Sequence, residues 1–345
     1  MTAPAAREVR PRRAIAVAAC LLVAACAEAS SDAGDASGAT TTTPPTTIAE
    51  PQPESLTTVP DDVIPTTEAP TTTVTIPEPS GVTAADLCAG ASLVEPAPQI
   101  DTDLLPETSG IAYSRTHLDR LYAHNDSGNL PRLFGIGPSS TIDFVWSADA
   151  ALLDWEDMAV AGTALYLADI GDNLHLRLTV RVLRMDEPDG ASATLTTPDV
   201  FSFRYLDNRY DAETLIVEPD GSTAVIVTKG LDAPATVFEL PLDDPQDEPL
   251  LLAPVGGLEL GLITAGDITA DGAVVGLRQP NRILLWDREP GVSIADTILQ
   301  DTYCEAPSAE ERQGEAFAFH PDGRGYTTLS ERESATRNDF RLADS

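Results

Sequence analysis

The chain has 345 residues, in which 55 aspartates and glutamates outnumber 21 lysines and arginines, so its net charge at pH 7 is −34. A charge of this size opposes binding to nucleic acid and to anionic lipid surfaces, and it suits cations, basic partners or plain solubility. The sequence also lacks the nucleophile elbow, the phosphate-binding loop and the HExxH and CxxC zinc motifs, so these common enzyme classes lose support.

The first 25 residues have the composition of a signal peptide. Arginines between positions 7 and 13 precede an apolar stretch at 14–25 that is too short to span a bilayer comfortably. The sequence Val23-Ala24-Ala25-Cys26 resembles the bacterial lipobox, which implies that Cys26 is lipidated and holds the exported protein on the outer face of the cell membrane. Ordinary cleavage with release, or cleavage near Cys20, is the alternative, and both Sec and twin-arginine export stay open.

Residues 26–82 are rich in Thr, Pro, Ala, Ser and acidic residues and contain no aromatic residue. Such a segment buries too little apolar surface to offset its conformational entropy, so we expect a disordered linker. At about 3 Å per residue for an extended Pro-rich chain, this tether could hold the following domain on the order of 100 Å from the membrane.

Residues 83–345 contain five related segments, which recur about every 50 residues. In each, a small or acidic residue precedes a short alternating apolar run, and a second β-rich run follows, in several cases after a Pro-Asp-Gly or Asp-Gly turn. A repeat of this length is typical of one four-stranded blade, so the pattern predicts an all-β fold, a five-bladed β-propeller, with six blades as the alternative. The aligned residues are Gly110, Asp157, Glu213, Asp267 and Glu315.

The outer strands are predicted from the apolar runs that complete each repeat. Residues 249–255 and 292–299 are the predicted outer strands of the third and fourth blades. The fifth blade runs out after Leu342 with no room for an outer strand. We therefore expect the segment from Leu93 to Ile100 to supply that strand and to close the ring, which removes exposed sheet edges.

Polar residues from all blades are expected to meet on one rim around the propeller axis. Antiparallel hairpin strands bring the start of each first strand and the end of each second strand to the same end of the sheet. So many carboxylates repel one another unless a cation neutralises them, and oxygen ligands at variable spacing suit Ca²⁺. The predicted calcium ligands are Glu107, Asp126, Glu156, Asp157, Asp169, Asp172, Asn173, Glu213, Asp267 and Glu315.

A structural role is the alternative for these acids, because a carboxylate at the start of a blade can bind backbone amides of the next blade. Lys229 and Arg278 stand among them as cations. They either clamp an anion beside the metal or pair with neighbouring acids, and pairing is favoured. His124, in the sequence His-Asn-Asp-Ser-Gly, is the candidate catalytic base, with hydrogen bonding within its loop as the alternative role.

Two cysteines, Cys88 and Cys304, belong to the domain itself. In an exported chain such a pair indicates one disulfide, which here would join the two ends of the ring. In simple strand order the two cysteines start at opposite ends of the blade. Residues 84–92 must therefore fold back for the bond to form.

The sequences HNDSG, DWEDMA, ADIGDN, YDAETL and QGEAFAF occur in this order from about residue 100 onward. With them the domain resembles a family of exported, actinobacterial-type β-propeller lipoproteins of unsettled activity. It is more distantly similar to phytase-like and gluconolactonase-like calcium propellers, in which acids and amides on the channel rim hold the metal. The basic cluster expected of a phytase-like phosphate site is reduced here to Lys229 and Arg278.

Two functions fit these patterns. The first is a tethered, monomeric binding module whose acidic rim binds Ca²⁺ and presents a surface to a small molecule, a glycan or an envelope protein. The alternative is a metal-assisted hydrolase of phosphoesters, esters or lactones, with His124 as its base. Neither function involves nucleic acid, and the membrane is contacted only through the lipid anchor.

Overall fold

The computed structural model describes residues 80–343 apart from 95–97, 101–102, 149–152, 189, 191–194, 196, 232 and 332–335. The predicted signal peptide, the lipidation site at Cys26 and nearly all of the predicted linker lie outside the described residues. Within the described part of the chain, no helix has the length and apolar character needed to cross a membrane.

The described chain begins with a short helix and a short strand, and the first two blades follow. The N-terminal elements are α1 (Ala84–Gly90) and β1 (Ser92–Leu93). The strands of the first blade are β2 (Thr108–Tyr113), β3 (Leu121–Asn125), β4 (Arg132–Ile136) and β5 (Ile142–Ser147). Those of the second blade are β6 (Trp155–Ala161), β7 (Ala164–Asp169), β8 (Val180–Asp186) and β9 (Asp199–Tyr205).

The other three blades follow the same order from the innermost strand outward, although their outer strands are shorter. The third consists of β10 (Ala212–Val217), β11 (Thr223–Thr228), β12 (Thr236–Pro241) and, after the separate β13 (Leu250–Leu252), β14 (Gly256–Gly257). The fourth consists of β15 (Ala265–Ile268), β16 (Val274–Gln279), β17 (Arg282–Asp287) and, after α2 (Ile294–Ile298), β18 (Cys304–Ala306). The fifth consists of β19 (Gly314–Phe319), β20 (Gly325–Ser330) and β21 (Asn338–Arg341).

These strands form five separate sheets, and the innermost strand of each sheet contacts the innermost strands of the two neighbouring sheets. The predicted five-bladed propeller is therefore confirmed, and the six-bladed alternative is wrong. Within a blade the consecutive strands are antiparallel, and the first hairpin turns at glycines such as Gly272 and Gly323, whose φ angles are 73° and 67°. A side chain is strained at these positive φ angles, which explains the recurring Asp-Gly turns.

The hydrophobic core lies in the spaces between neighbouring sheets. Phe203 of the second blade and Phe238 of the third belong to one such cluster, and Trp146 of the first blade and Leu167 of the second belong to another. Every residue of β2, β6 and β10 is buried, because the innermost strands have a blade on each side. These strands are not wholly apolar, since Thr108, Asp157 and Thr214 are buried in them beside the apolar residues.

The ring is closed by the N-terminal strand, as predicted. Ser92 and Leu93 of β1 pair with Arg341 and Phe340 of β21, so the fifth blade takes its outer strand from the other end of the domain. A disulfide joins Cys88 to Cys304 across a Cα–Cα distance of 6.2 Å. The chain folds back through α1, which carries Cys88 against the outer strand of the fourth blade.

Two predicted outer strands are wrong. Residues 292–299 contain α2, which begins after the N-cap Ser293, and the outer strand of the fourth blade is β18 instead. Residues 249–255 contain β13, but this strand pairs in parallel with β9 of the second blade. The third blade takes the two-residue β14 as its outer strand. An apolar run fits a strand or a helix and does not specify the strand with which the segment pairs.

Candidate functional site

The first-strand acids are positioned by an irregularity in the sheets. In the second, third and fifth blades, Glu156, Glu213 and Glu315 are each an extra residue between two regular pairs of the first and second strands. The first blade has a similar irregularity near Ser109, whereas the fourth blade is regular. Because a bulge turns a side chain out of the normal alternation, it directs these glutamates toward the axis.

This register changes the alignment of the repeats. The sequence aligns Asp157 with Glu213 and Glu315, but the residue at the equivalent bulge of the second blade is Glu156. The glutamates therefore form one structural set, and Asp157 has a different environment. The sequence shows two adjacent acids at this point, and only the strand register tells which of them occupies the bulge.

The bulge glutamates line a cavity of about 160 Å³ at the end of the propeller where the innermost strands begin. We call it the axial cavity. Among the described residues, it receives side chains from the first, second, third and fifth blades and none from the fourth. Its lining residues are Ser109, Asp126, Glu156, Asn173, Glu213, Lys229, Gln313, Glu315 and Glu331.

Carboxylate oxygens approach one another closely here. One oxygen from each of Glu156, Asp211 and Glu213 lies within 4.8 Å of the other two, and the same holds for Asp126, Asp154 and Glu156. Each ligand oxygen lies about 2.4 Å from a bound Ca²⁺, so the ligands of one ion are at most about 5 Å apart. Both groups therefore have the spacing of a metal site, and Glu156 belongs to both.

The electrostatics of the cavity disfavour the ionised state of these acids. Burial, together with repulsion from Glu213, raises the pKa of Glu156 well above its ordinary value. Burial also raises the pKa of Glu213 to about 8 and that of Glu315 to about 7, although Lys229 acts in the opposite direction on both. Burial likewise raises the pKa of Asp154 to about 6. A bound cation would reverse these shifts.

Lys229 is the one cationic side chain that lines the axial cavity among the described residues. Its ammonium group pairs with Oε1 of Glu213. Burial acts to lower the pKa of Lys229, but the charges of Glu213 and Glu315 outweigh burial and raise it, so the lysine stays protonated. The other oxygen of Glu213, Oε2, is buried and has no hydrogen-bond partner. Lys229 therefore satisfies only one of the two carboxylate oxygens of Glu213.

Asp157 and Asp267 do not line the cavity, and their carboxylates bind backbone amides of other blades. Oδ2 of Asp157 accepts the amide of Leu215 at 2.9 Å and that of Gly266 at 3.3 Å. Oδ2 of Asp267 accepts the amide of Phe319 at 2.7 Å. Burial raises the pKa of both carboxyls, to about 6 for Asp267. Asp157 and Asp267 therefore have the structural role that was the alternative to calcium binding.

Three further predicted ligands have protein partners outside the cavity. Asp169 is buried and pairs with Arg177 and Arg181, both at 2.7 Å. The carboxylate of Asp172 accepts two amides of its own loop, and Oε2 of Glu107 accepts a hydrogen bond from Asn129 at 3.0 Å. Asp126 and Asn173, in contrast, do line the cavity.

Arg278 does not line the cavity either. It is buried, pairs with the buried Glu311 and donates to the carbonyl oxygens of Ala316 and Leu329. This is the favoured pairing, with Glu311 as a partner that the sequence does not indicate. Arg278 thus holds the fourth and fifth blades together, and Lys229 alone is placed to meet a ligand in the cavity.

His124 is fully buried beneath the rim. Its Nδ1 lies 3.0 Å from the carbonyl oxygen of Asn125, its ring meets the edge of Trp155, and its Nε2 has no hydrogen-bond partner. Burial lowers its pKa to about 4, so the ring is neutral at physiological pH. The structure does not bring this histidine into the axial cavity.

Sequence reasoning did not identify Asp154, Ser109 and Gln313 as members of the site. Asp154 directly precedes β6 and Glu156 is the bulge residue of that strand, so the regular alternation of a strand does not predict that they meet. Gly171 leaves the room for this pair, since a Cβ there would overlap Oε1 of Glu156 and lie 2.6 Å from Oδ2 of Asp154.

Comparison of the sequence with protein-family models and with curated proteins finds no match. Among solved structures, one similar chain is a gluconolactonase from Xanthomonas campestris, with a TM-score of 0.44 and 13% identity over 76% of this chain and 93% of that one. Another belongs to a nidogen/laminin complex, with a TM-score of 0.39 and 12% identity over 65% of this chain and 72% of that one. Both neighbours are β-propellers, and the likeness concerns the fold alone.

Proposed function

We propose that the axial cavity binds a calcium ion and that the protein is a ligand- or partner-binding module built on a calcium-loaded β-propeller. The observation that carries this proposal is the buried carboxylate group of Glu156, Asp211 and Glu213, whose oxygens lie within 4.8 Å of one another. Uncompensated acids at such distances are costly, and the unpartnered Oε2 of Glu213 offers a ready ligand atom.

The chemistry of the donors favours calcium over other common metals. The two carboxylate groups, with the amide oxygens of Asn173 and Gln313 nearby, supply oxygen ligands only. No histidine or cysteine lines the cavity among the described residues, which disfavours zinc and copper. Ligands drawn from several blades give a variable geometry, which Ca²⁺ accepts more readily than the strictly octahedral Mg²⁺.

A hydrolase would need a proton acceptor beside the metal, and the geometry supports this alternative less well. The predicted base, His124, is buried away from the cavity and has a lowered pKa. The predicted anion clamp is reduced to Lys229, which already pairs with Glu213. With its predicted base outside the cavity, the site is better suited to stabilising the ring and to binding than to hydrolysis.

The same proposal places the propeller outside the cell, held through a lipid on Cys26 and a long linker. Its support is the signal peptide and lipobox pattern of the first 26 residues, together with an acidic domain that a disulfide staples. Replacing Cys26→Ala should move the protein from the membrane fraction to the medium. Retention of the variant in the membrane would contradict the anchor.

The calcium site is tested by calorimetry and thermal unfolding of the purified protein with CaCl₂ or with chelator. At a concentration about 100 times its Kd, calcium stabilises a folded protein by about 2.7 kcal/mol, or about 5 to 10 °C in a domain of this size. We expect Glu213→Gln and Glu156→Gln to lose this gain. Glu305→Gln is the matched control, because Glu305 lies half-exposed in outer strand β18. An unfolding temperature indifferent to calcium and chelator would refute the site.

A further inference from the structure

The loop between β7 and β8 displays three leucines to solvent. Leu174, Leu176 and Leu178 are 75%, 66% and 65% exposed. They alternate with polar residues in the segment 170–179, which lies at the end of the propeller that carries the axial cavity. A contiguous exposed apolar patch marks an interaction site more often than a single exposed leucine does.

This exposure is built into the loop, because its two charged side chains turn inward. The carboxylate of Asp172 accepts the amides of Leu176 and Arg177, both at 2.8 Å. The guanidinium of Arg177 donates to the carbonyl of Gly171 and to the carboxylate of Asp169. The loop thus buries its charges and exposes its leucines, the reverse of the usual arrangement in water.

Neighbouring loops at the same end continue this surface. His175 and Arg209 exchange hydrogen bonds that join the leucine loop to the loop before β10. In that loop, the carbonyl oxygen of Asp211 accepts a hydrogen bond from the amide of Lys229. The carbonyl oxygen of Lys229 accepts one in turn from the amide of Ile263. Three more exposed leucines lie along these connected loops. We call the whole set the leucine face: Leu174, Leu176, Leu178, Leu206, Leu231 and Leu262.

The charge of this end is negative. Asp207 and Glu259 are exposed on the connected loops, and the acidic axial cavity opens at the same end. Two cations of these loops pair with acids, Arg177 with Asp169 and Lys229 with Glu213, while Arg209 donates to the carbonyl oxygen of His175. A surface complementary to the leucine face is therefore both apolar and basic, and an anionic lipid surface would be repelled.

The described chain starts at the opposite end. The amide of Ser80 donates to Oδ2 of Asp271 at 2.7 Å, in the hairpin turn between β15 and β16. The described chain thus enters the propeller at its hairpin end, which is the end opposite the leucine face.

We propose that the leucine face docks a partner protein through an apolar segment that carries lysine or arginine side chains. This inference rests on the proposed function as a binding module and names the class of its partner. The alternating leucines would fill apolar recesses of the partner, and the acids around them would pair with its cations. Most of the binding free energy is expected at the three leucines of the 170–179 loop, because they lie close together in one loop and docking would bury their exposed apolar surface.

The test uses the full chain and a short fluorescein-labelled peptide of alternating leucine and lysine, with fluorescence anisotropy as the readout. The triple variant Leu174→Ser, Leu176→Ser, Leu178→Ser should bind the peptide at least about tenfold more weakly, which corresponds to about 1.4 kcal/mol. Leu118→Ser is the matched control, because Leu118 is 62% exposed at the hairpin end. It should leave the affinity unchanged, and both variants should unfold at the wild-type temperature.

Several outcomes would overturn the inference. These are no binding of the leucine–lysine peptide, equal binding of a leucine–glutamate peptide, or equal loss in the Leu118 variant. Leucine-dependent binding to vesicles of anionic lipid, or leucine-dependent dimerisation in sedimentation, would assign the face to a membrane or to a second copy instead. Calcium calorimetry on the triple variant separates the two proposals, because its calcium affinity should equal that of the wild type. Loss of calcium binding in the wild type would leave the peptide result standing.

Discussion

The carboxylate of Asp157 links three blades, because it lies in the second blade and accepts amides of Leu215 in the third and Gly266 in the fourth. In Asp157→Asn one of the two carboxylate oxygens is replaced by an NH₂ group, which would face backbone N–H donors. We expect a loss of about 2 to 4 kcal/mol in the free energy of unfolding, measured by urea denaturation. Asp199→Asn, at an exposed position of β9, should change it by less than about 0.5 kcal/mol. Equal effects of the two variants would contradict the linking role.

Gly110 is required because the backbone of the second blade and the ring of His124 lie against it. A Cβ at Gly110 would overlap Nε2 of His124 and lie 2.9 Å from the amide nitrogen of Met158. We therefore expect Gly110→Ala to cost about 1 to 3 kcal/mol in the free energy of unfolding.

Gly257→Ala is the matched comparison for this substitution. A Cβ at Gly257 would find its nearest neighbour, the carbonyl oxygen of Ala235, at 3.8 Å. This variant should be neutral or slightly stabilising, since it restricts the unfolded chain without a clash. If Gly110→Ala proves as stable as Gly257→Ala, the close approach to His124 is not required by the fold.

Asp339 makes stability depend on acid pH. Burial acts to raise its pKa, but the nearby His320 ring, 3.6 Å away, the charge of Arg337 and a hydrogen bond from Thr327 outweigh burial and lower the pKa to about 2. A lowered folded-state pKa adds stability that is present above the unfolded value near 4 and lost as pH falls to about 2. The free-energy difference between wild type and Asp339→Asn should therefore shrink by about 2 kcal/mol between pH 6 and pH 2. A constant difference across this range, in urea denaturation, would exclude the carboxylate as its origin.

At the scale of single elements, α1 is held to the fourth blade by the disulfide between Cys88 and Cys304. The bond closes a separation of 216 residues, for which the chain-entropy model predicts a stabilisation of about 5 kcal/mol. The double variant Cys88→Ser, Cys304→Ser should therefore unfold at a clearly lower temperature than the oxidised wild type. Reductant should lower the wild type to the same value and leave the variant unchanged. A wild-type melting curve that does not respond to reductant would remove this role for the bond.

The elements also show how far sequence reasoning reaches. Alternating runs and Asp-Gly turns predict the inner strands and the five-fold repeat correctly, because both are local patterns. The partner of β13 and the helix α2 were missed, since an apolar run of several residues fits a strand or a helix and does not specify its neighbour. At the site, the acids were found from composition and position. The division between Glu156 at the cavity and Asp157 at the amides depends on a bulge that only strand register reveals.

At the scale of the whole molecule, the acids of the axial cavity couple the blades to one another. Four of the five blades contribute side chains to the cavity, and their carboxylates repel one another when ionised. A cation that binds Glu156 and Glu213 would convert this repulsion into a link between the second and third blades. We therefore expect calcium to stabilise the ring as a unit and not the cavity loops alone.

Hydrogen exchange measured with calcium or with chelator tests this expectation. Calcium should slow exchange at the amides of β6, β10 and β19, the innermost strands that carry the bulge glutamates, because these amides exchange only when the ring opens. The difference should disappear in Glu213→Gln and persist in Glu305→Gln. Slowing confined to the loops that follow β3 and β7 would mean that the ion orders the cavity mouth locally. In that case the ring owes its integrity to the amide contacts of Asp157 and Asp267 and to the disulfide.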